Sequence, residues 1–215
     1  MQDLLRMAPV FADGLLGTIR IALVCLCLSI PAGLLVGAGR RSQHWFVAGP
    51  ARAYVEVFRN TPVLVLIMWF YFAFPTVAPF EVNAYTAATL ALALNSSAFF
   101  AEIFRAGIQS ISKGQWDAAK ALGMSYRVQL QRIILPQAIR RMVPAFANRS
   151  IELVKLTSLA STIAYHEVIH TAKLISSAYY NPVETFSIAA LIYFALIYPM
   201  VRAIYWIEGR LKRSD

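Results

Sequence analysis

The residues that could do chemistry form two groups, and the first has the spacing of a zinc protease. The chain reads His166-Glu167-Val168-Ile169-His170, and two histidines four apart on a helix, with a glutamate after the first, can bind zinc and activate water. The motif lies between two apolar runs, and neither flank supplies an obvious third ligand. We therefore interpret it as part of a polar outer loop, 165–182, and predict no catalytic residue and no metal site. Zinc proteolysis is the alternative.

The second group consists of polar and charged side chains inside long apolar runs. Such side chains are costly in a bilayer and by default mark a path for a solute or an ion. They also have a structural explanation, because hydroxyl and amide groups bond neighbouring membrane helices and Glu152 can pair with Lys155 three residues on. Both explanations stay open for the candidate solute path, which comprises Asn95, Ser96, Ser97, Glu152, Lys155, Thr157 and Ser158.

The composition places both groups in a membrane protein. Hydrophobic residues make up 59% of the chain and charged residues 14%, a balance unlike that of a soluble domain. The formal net charge is +9, but the basic residues lie between the apolar runs, as the positive-inside rule produces. We therefore expect a lipid bilayer and no nucleic acid as partner, and we treat residues 1–215 as a single transmembrane domain.

Five apolar runs must position the candidate residues. A membrane helix needs about 20 apolar residues, and the basic segments after the first and third runs and at the tail put the N-terminus outside and the C-terminus in the cytoplasm. In the second run, Thr61 is predicted to cap the helix and Pro62 to start it. The sequence predicts an all-α membrane protein with about five transmembrane helices, at residues 15–37, 61–74, 84–104, 142–164 and 183–206.

A polar segment, 115–136, interrupts the apolar runs. Strong helix formers precede Gly123, which can take the positive φ found at helix ends. A second helix-like run, 126–134, follows and is predicted to end at the next Leu-Pro pair. Just before the segment, Glu102 and Arg105 have the spacing of a local ion pair. A membrane protein keeps such a helix–turn–helix module for contact with something outside the bilayer.

The segment resembles the EAA loop of permease subunits in bacterial ATP-binding-cassette (ABC) importers. Asp-Ala-Ala at 117–119, Gly123 and Ile-x-Leu-Pro at 133–136 follow the spacing of that loop without a gap, with aspartate in place of the usual glutamate. Three further stretches are similar to the polar amino-acid (histidine, glutamine and glutamate) branch of the family: 54–62, 101–108 and 156–159. In the family this cytoplasmic loop docks into an ATPase subunit. The resemblance therefore implies the ATPase-coupling residues Asp117, Ala118, Ala119, Gly123, Ile133, Leu135 and Pro136.

The resemblance also implies the type I ABC-importer permease fold and the import of a polar L-amino acid across the bacterial inner membrane. The implied partners are a cytoplasmic ATPase dimer, a second permease subunit of the same or a homologous chain, and a periplasmic or surface amino-acid-binding protein. No G-x-x-x-x-G-K-[ST] phosphate loop occurs in the sequence, so we expect a transport subunit that is not an enzyme and binds no cofactor, with ATP and Mg²⁺ in the partners.

The alternative function is an ion- or proton-coupled carrier or channel subunit without an ATPase partner. Intramembrane charges would suit it, but it would not need the segment 115–136. Three points stay open from the sequence: which amino acid is moved, whether the paired permease is identical, and whether substrate binds within each subunit or between the two.

Overall fold

The fold is built from helices and turns. The computed structural model describes the backbone of residues 2–77 and 81–211 and the side chains of residues 8–77 and 81–210. Within these ranges no β-strand occurs, and the prediction of an all-α protein is confirmed. The basic tail used above to predict the orientation includes Lys212 and Arg213, which lie outside the described residues. The helices are α1 (Gln2–Gly39), α2 (Trp45–Asn60), α3 (Val63–Met68), α4 (Ala84–Gln109), α5 (Lys113–Ala121), α6 (Tyr126–Gln129), α7 (Leu135–Leu156), α8 (Val168–Tyr179) and α9 (Pro182–Leu211).

Helices α1 and α4 meet closely at the centre of the bundle because α1 presents glycines there. A Cβ atom on Gly33 would lie 2.5 Å from the Cβ of Phe100 and 2.7 Å from the carbonyl oxygen of Ser97. One turn further on, a Cβ on Gly37 would lie 3.0 Å from the carbonyl oxygen of Ala101. This Gly-x-x-x-Gly spacing brings two backbones together, which is how helices associate in a bilayer.

The second apolar run is broken rather than straight. Thr61 does not cap the next helix; its hydroxyl donates to the Val57 carbonyl oxygen at 2.7 Å, at the end of α2. Pro62 precedes α3 instead of starting it, because its own ψ of 133° is extended rather than helical. The axis therefore turns by 103° between α2 and the helix that follows. Predicted span 61–74 contains α3, a π-helical turn (Trp69–Ala73) and the start of a 3₁₀ turn (Phe74–Thr76).

By length and composition three described helices can cross a membrane, 8–39, 84–109 and 182–210, and the bent pair 45–76 would be a fourth. The predicted span 142–164 differs: its helix, α7, begins at Leu135 and is followed by a 3₁₀ turn, Thr157–Ile163. This helix is more polar than the three membrane-crossing helices because its sequence carries five charged residues, Arg140, Arg141, Arg149, Glu152 and Lys155.

The predicted outer loop 165–182 contains a further helix, so its description as a loop was wrong. Helix α8 buries Val168, Ala172 and Ile175 against Phe11 of α1 and Ala189 of α9. These buried residues follow the four- and three-residue spacing of one helical face, which was the available signal. Helix α8 thus packs on the N-terminal parts of α1 and α9.

Candidate functional site

The predicted coupling segment folds as a helix, a glycine turn and a second helix. Gly123 follows α5 with φ 74°, a conformation that other residues rarely adopt. The Gly123 N–H donates to the Lys120 carbonyl oxygen at 2.9 Å, and the Met124 N–H donates to that of Ala119 at 3.2 Å. These two bonds make the Schellman motif, in which a glycine ends a helix. The predicted helix end at Gly123 is confirmed.

Side-chain contacts hold the two arms of this segment together. The rings of Trp116 and Tyr126 stack with 5.8 Å between centroids, and Gln129 Nε2 donates to the Met124 carbonyl oxygen at 2.6 Å. Arg41, two residues beyond α1, donates to the Tyr126 hydroxyl at 3.4 Å. The segment is therefore a preformed unit linked to the end of α1.

An apolar cluster joins this unit to the helices of the bundle. Ile134, Ala138 and Met142 pack with Ile108 at the end of α4 and with Ile111 beyond it. Packed interiors transmit displacement because their side chains have no free volume to absorb it. A force on the coupling segment would therefore reach both α4 and α7.

The predicted coupling residues divide between this cluster and the surface. The four exposed residues are Asp117, Ala118, Gly123 and Pro136. The two half-buried residues are Ile133 and Leu135, and Ala119 is buried. Leu122, which the prediction did not include, is 76% exposed beside Gly123. Its signal was an apolar side chain at the end of an otherwise polar helix.

The second helix of the segment does not end at the Leu-Pro pair, which corrects the sequence-based boundary. Helix α6 continues through a π-helical turn, Leu130–Ile134, directly into α7. Pro136 has no N–H for an α-helical bond to Arg132, and its ring would collide with that carbonyl group. The wider turn, in which the Leu135 N–H donates to the Leu130 carbonyl oxygen, lets the helix pass the proline. The coupling segment and α7 are thus continuous.

A buried arginine brings together several predicted solute-path residues. The Arg149 side chain of α7 is 4% exposed, and its Nη2 donates to Asn95 Oδ1 at 2.7 Å and to Ser96 Oγ at 3.2 Å. Its Nη1 lies 2.9 Å from Glu152 Oε2, and its guanidinium carbon lies 3.9 Å from the centre of the Phe99 ring. One cation is therefore held by an amide, a hydroxyl, a carboxylate and an aromatic face.

Sequence reasoning missed Arg149 and paired the wrong residues. It paired Glu152 with Lys155, whereas Glu152 pairs with Arg149, and Lys155 is exposed and in no salt bridge within the described ranges. Both pairs have a three-residue spacing, so spacing alone did not decide between them. The usable signal was an arginine in the middle of an apolar run, because such a charge needs a partner inside the bundle.

The other predicted path residues make structural bonds. Asn95 Nδ2 also donates to the Phe58 carbonyl oxygen at 2.7 Å, and Ser97 Oγ lies 2.6 Å from the Tyr54 hydroxyl. These bonds tie α4 to α2. Two hydroxyls bond carbonyl oxygens close by in the chain, Thr157 to Val154 and Ser158 to Lys155, both at 2.7 Å. The structure therefore groups Asn95, Ser96 and Glu152 around Arg149 and leaves Ser97, Lys155, Thr157 and Ser158 outside its contacts.

The predicted ion pair between Glu102 and Arg105 is present and belongs to a larger cluster. Glu102 also accepts a hydrogen bond from Arg40 at the end of α1, and Arg59 near the end of α2 lies 3.7 Å from it. One carboxylate thus joins α1, α2 and α4. Arg40 and Arg59 were not predicted as partners because both lie far from Glu102 in the sequence.

The glutamate of the His-Glu-x-x-His motif has a structural role. Glu167 is buried ahead of α8 and accepts hydrogen bonds from the N–H groups of Ile169 at 2.9 Å and His170 at 2.6 Å. The Tyr193 hydroxyl donates to the same carboxyl group at 2.9 Å. His166 precedes the helix that contains His170, so the motif does not lie on one helix as a zinc protease requires. Burial raises the pKa of the Glu167 carboxyl above its usual value.

Residues 29–213 match the family described as "Binding-protein-dependent transport system inner membrane component". The chain belongs to this family. It is 41% identical over 209 residues to the octopine transport system permease protein OccM of Rhizobium radiobacter, covering 92% of this chain and 85% of the relative. It is 37% identical over 188 residues to a probable amino-acid ABC transporter permease protein, YckA, of Bacillus subtilis, covering 87% and 83%. The resemblance to ABC-importer permeases of the polar amino-acid branch is confirmed, and the carrier or channel alternative is not favoured.

Solved structures agree with this assignment. The chain superposes with a TM-score of 0.93 and 32% identity on the structure titled "Crystal structure of an amino acid ABC transporter with histidines", covering 97% of both chains. A MetNI methionine ABC transporter structure matches with a TM-score of 0.75 over 96% of this chain and 98% of the other. Its 17% identity supports the fold alone. The predicted type I permease fold is confirmed, and the chain is an ABC-importer permease.

Proposed function

We propose that this permease moves a polar L-amino acid inward across the bacterial inner membrane. The observation that carries the proposal is its similarity, at one-third identity or more, to permeases named for such solutes. These include a Bacillus subtilis arginine permease, ArtQ, at 34% identity and a probable glutamine permease, GlnP, at 39%. The buried cation with a carboxylate beside it supports the proposal, because an amino acid carries both charges.

Arg149 and Glu152 are proposed to receive the substrate. Asn95, Ser96 and the Phe99 ring hold the guanidinium in place, so little order is lost when a carboxylate binds. The Glu152 side chain is 57% exposed and can turn from Arg149 to the substrate ammonium. Ser97, Lys155, Thr157 and Ser158 remain candidates for the path on either side of this point.

The exposed face of α5, together with Gly123, is proposed to dock on the ATPase dimer. This face presents Asp117 and Ala118, and Leu122 follows directly after the helix; together they form a small polar-apolar patch suited to a cleft. ATP and Mg²⁺ would be bound and hydrolysed by those partners, and this chain would itself catalyse nothing. Rigid-body motion of the ATPases would pass along the continuous α6–α7 helix to Arg149.

A second permease subunit and an external amino-acid-binding protein complete the proposed assembly. We propose that the N-terminus lies outside; this is supported by Arg40, Arg41 and the basic coupling segment at the opposite end of the helices. Helix α8 and the start of α9 then face the binding protein.

The test is ATPase stimulation in liposomes that contain this chain, its cognate ATPase and the binding protein. Substrate should stimulate the ATPase activity of the wild-type complex. The Gly123→Trp complex should assemble but show stimulation at least about tenfold weaker, because a bulky side chain at positive φ reshapes the docking turn. Gly209→Trp is the control, because that site is equally open and lies on α9. Unchanged stimulation in Gly123→Trp would remove the coupling role from this segment.

A further inference from the structure

The carbonyl group of Phe58, in the last turn of α2, can bond outside its own helix. In a continuing α-helix it would accept a hydrogen bond from the N–H of the residue four places on. That residue is Pro62, which has no N–H. Asn95 of α4 supplies the donor instead, since its Nδ2 lies 2.7 Å from the Phe58 carbonyl oxygen. The proline that breaks the second apolar run thus leaves an acceptor for α4.

This bond determines which way the Asn95 amide points. With its Nδ2 on the Phe58 carbonyl oxygen, its Oδ1 accepts from Arg149 Nη2 at 2.7 Å. The reverse orientation would place an amide donor against the guanidinium, which carries only donors, and an amide oxygen against a carbonyl oxygen. The Asn95 and Arg149 side chains are both buried, so bulk water is not at hand to replace either bond.

An ion pair holds the same turn of α2 at a second point. Arg59 follows Phe58 in the chain, and its Nη1 lies 3.7 Å from Glu102 Oε1. Glu102 comes seven residues after Asn95 on α4, about two helical turns further on. The ends of helices fray when nothing holds them, and the axis turns by 103° just beyond this end of α2. Two contacts with α4 therefore fix the position of the last turn.

We propose that Glu102 and Arg59 are positioning residues for Arg149. Their ion pair holds the last turn of α2, the Phe58 carbonyl group orients the Asn95 amide, and that amide holds the guanidinium. Neither positioning residue needs to touch the solute. The inference rests on the proposed function, in which Arg149 receives a carboxylate, and it makes solute affinity depend on an ion pair outside the solute site.

The other partners of Glu102 allow this role to be separated from a general one in stability. Arg40 belongs to α1, and Arg105 lies three residues after Glu102 on α4 itself. Loss of the Arg105 side chain would remove a contact of the same carboxylate but leave α2 attached. The Arg59 and Arg105 side chains are 31% and 29% exposed, so the two arginines are a matched pair for a test.

The primary measurement is the rate at which an arginine-selective dicarbonyl reagent modifies Arg149 in the assembled transporter, followed by peptide mass spectrometry. Arg149 should be protected in wild type because its side chain is buried. In Arg59→Gln it should react about threefold to fivefold faster, the change expected when one partly exposed ion pair is lost. Arg59→Lys should restore part of the protection because it keeps the charge.

Arg105→Gln is the matched control and should leave the rate at Arg149 unchanged. In an Asn95→Ala background, Arg59→Gln should cause no further acceleration, since the bond through which it acts is already absent. Asn95→Asp gives the same comparison if Asn95→Ala does not assemble, because it loses the donor to Phe58 and keeps an acceptor for Arg149. Equal acceleration by Arg59→Gln and Arg105→Gln, or an undiminished effect of Arg59→Gln in either background, would overturn the proposal.

Solute binding separates this inference from the proposed function. Dissociation constants of the assembled transporter for radiolabelled L-arginine and L-glutamine, measured without ATP, should rise about threefold to fivefold in Arg59→Gln and stay unchanged in Arg105→Gln. Faster modification of Arg149 with unchanged binding would support its positioning by Glu102 and remove Arg149 from the solute site. If wild type binds neither probe, the modification rates decide the inference by themselves.

Discussion

At the scale of single residues, Arg149 is a buried cation with hydrogen-bonding partners of three kinds. Its planar guanidinium can donate to Asn95 and Ser96 with one nitrogen while another faces Glu152. A lysine ammonium carries the same charge but cannot reproduce this fork. Geometry rather than charge alone therefore determines what the position can hold.

We predict that Arg149→Lys lowers substrate affinity in uptake assays by about tenfold, the loss expected for one charge-assisted hydrogen bond. Uptake into proteoliposomes over a range of substrate concentrations measures this effect. Arg202→Lys, at an exposed position on α9, should behave as wild type. If Arg149→Lys destabilises the protein yet transports with unchanged affinity, the arginine is purely structural.

Glu167 gives a prediction about pH. Burial raises the pKa of its carboxyl, so its protonated form is favoured by folding. Its contribution to the free energy of unfolding is therefore complete below the unfolded carboxyl pKa of about 4.3 and is lost as pH rises through the folded pKa.

The unfolding temperature of detergent-solubilised wild type, relative to Glu167→Gln, should thus be higher at acidic than at neutral pH. The pKa of His170 is lowered by burial and by the charges of His166 and Lys173, so its contribution to stability changes with pH in the opposite sense. Because wild type and Glu167→Gln both carry His170, comparing the two removes that contribution. Glu184→Gln, an acid in the first turn of α9, is the control. A pH-independent difference between wild type and Glu167→Gln would contradict the assignment.

At the scale of elements, the meeting of α1 and α4 depends on two glycines. We predict that Gly33→Ala destabilises the protein by about 1–3 kcal/mol, the usual range for overpacking, because a Cβ there would lie 2.5 Å from that of Phe100. Thermal unfolding in detergent measures it. Gly39→Ala is the matched control on the same helix, where the nearest atom would be 3.6 Å away. Equal unfolding temperatures of the two variants would show that α1 and α4 accommodate the added methyl group without loss of stability.

Elements that rest on local signals were predictable from the sequence. The helix end at Gly123 was predictable because glycine tolerates positive φ and strong helix formers precede it. Long apolar runs predicted α1, α4 and α9 to within a few residues at most ends. The exception is the start of α1, which lies thirteen residues before the predicted span. The π-helical turn before Pro136 was not predictable, because proline normally ends a helix. Only packing against other helices stabilises a helix that continues past it. Helix α8 was missed because its exposed face mixes Lys173 and Ser177 with Leu174 and Tyr179, which obscures the helical spacing of its buried residues.

The candidate site was predictable only in part, because its contacts join distant positions. Asn95, Ser96 and Glu152 were identified by depth and polarity alone. Their common partner, Arg149, lies more than fifty residues from the first two, and no local pattern records that pairing. The same holds for Glu102, whose partners Arg40 and Arg59 come from other helices.

At the scale of the whole molecule, the proposed orientation separates two exposed surfaces. Leu122 lies on the coupling segment, and Tyr180, 90% exposed, lies between α8 and α9. We predict that single cysteines at these positions react with a membrane-impermeant thiol reagent from opposite sides, Tyr180→Cys from outside and Leu122→Cys only from the cytoplasm. Native Cys25 and Cys27 are first changed to alanine. Labelling of Leu122→Cys from outside intact cells would contradict the proposed orientation.

The cluster around Glu102 has a consequence for the order of synthesis. Arg40 and Arg59 precede Glu102 in the chain and so leave the ribosome before it. In the proposed orientation, both arginines are unneutralised while the first helices enter the membrane and would act as retention signals for the cytoplasmic side. When α4 arrives, its carboxylate converts these signals into the ionic contact that fastens three helices. The same charges therefore direct insertion first and hold the finished bundle afterwards.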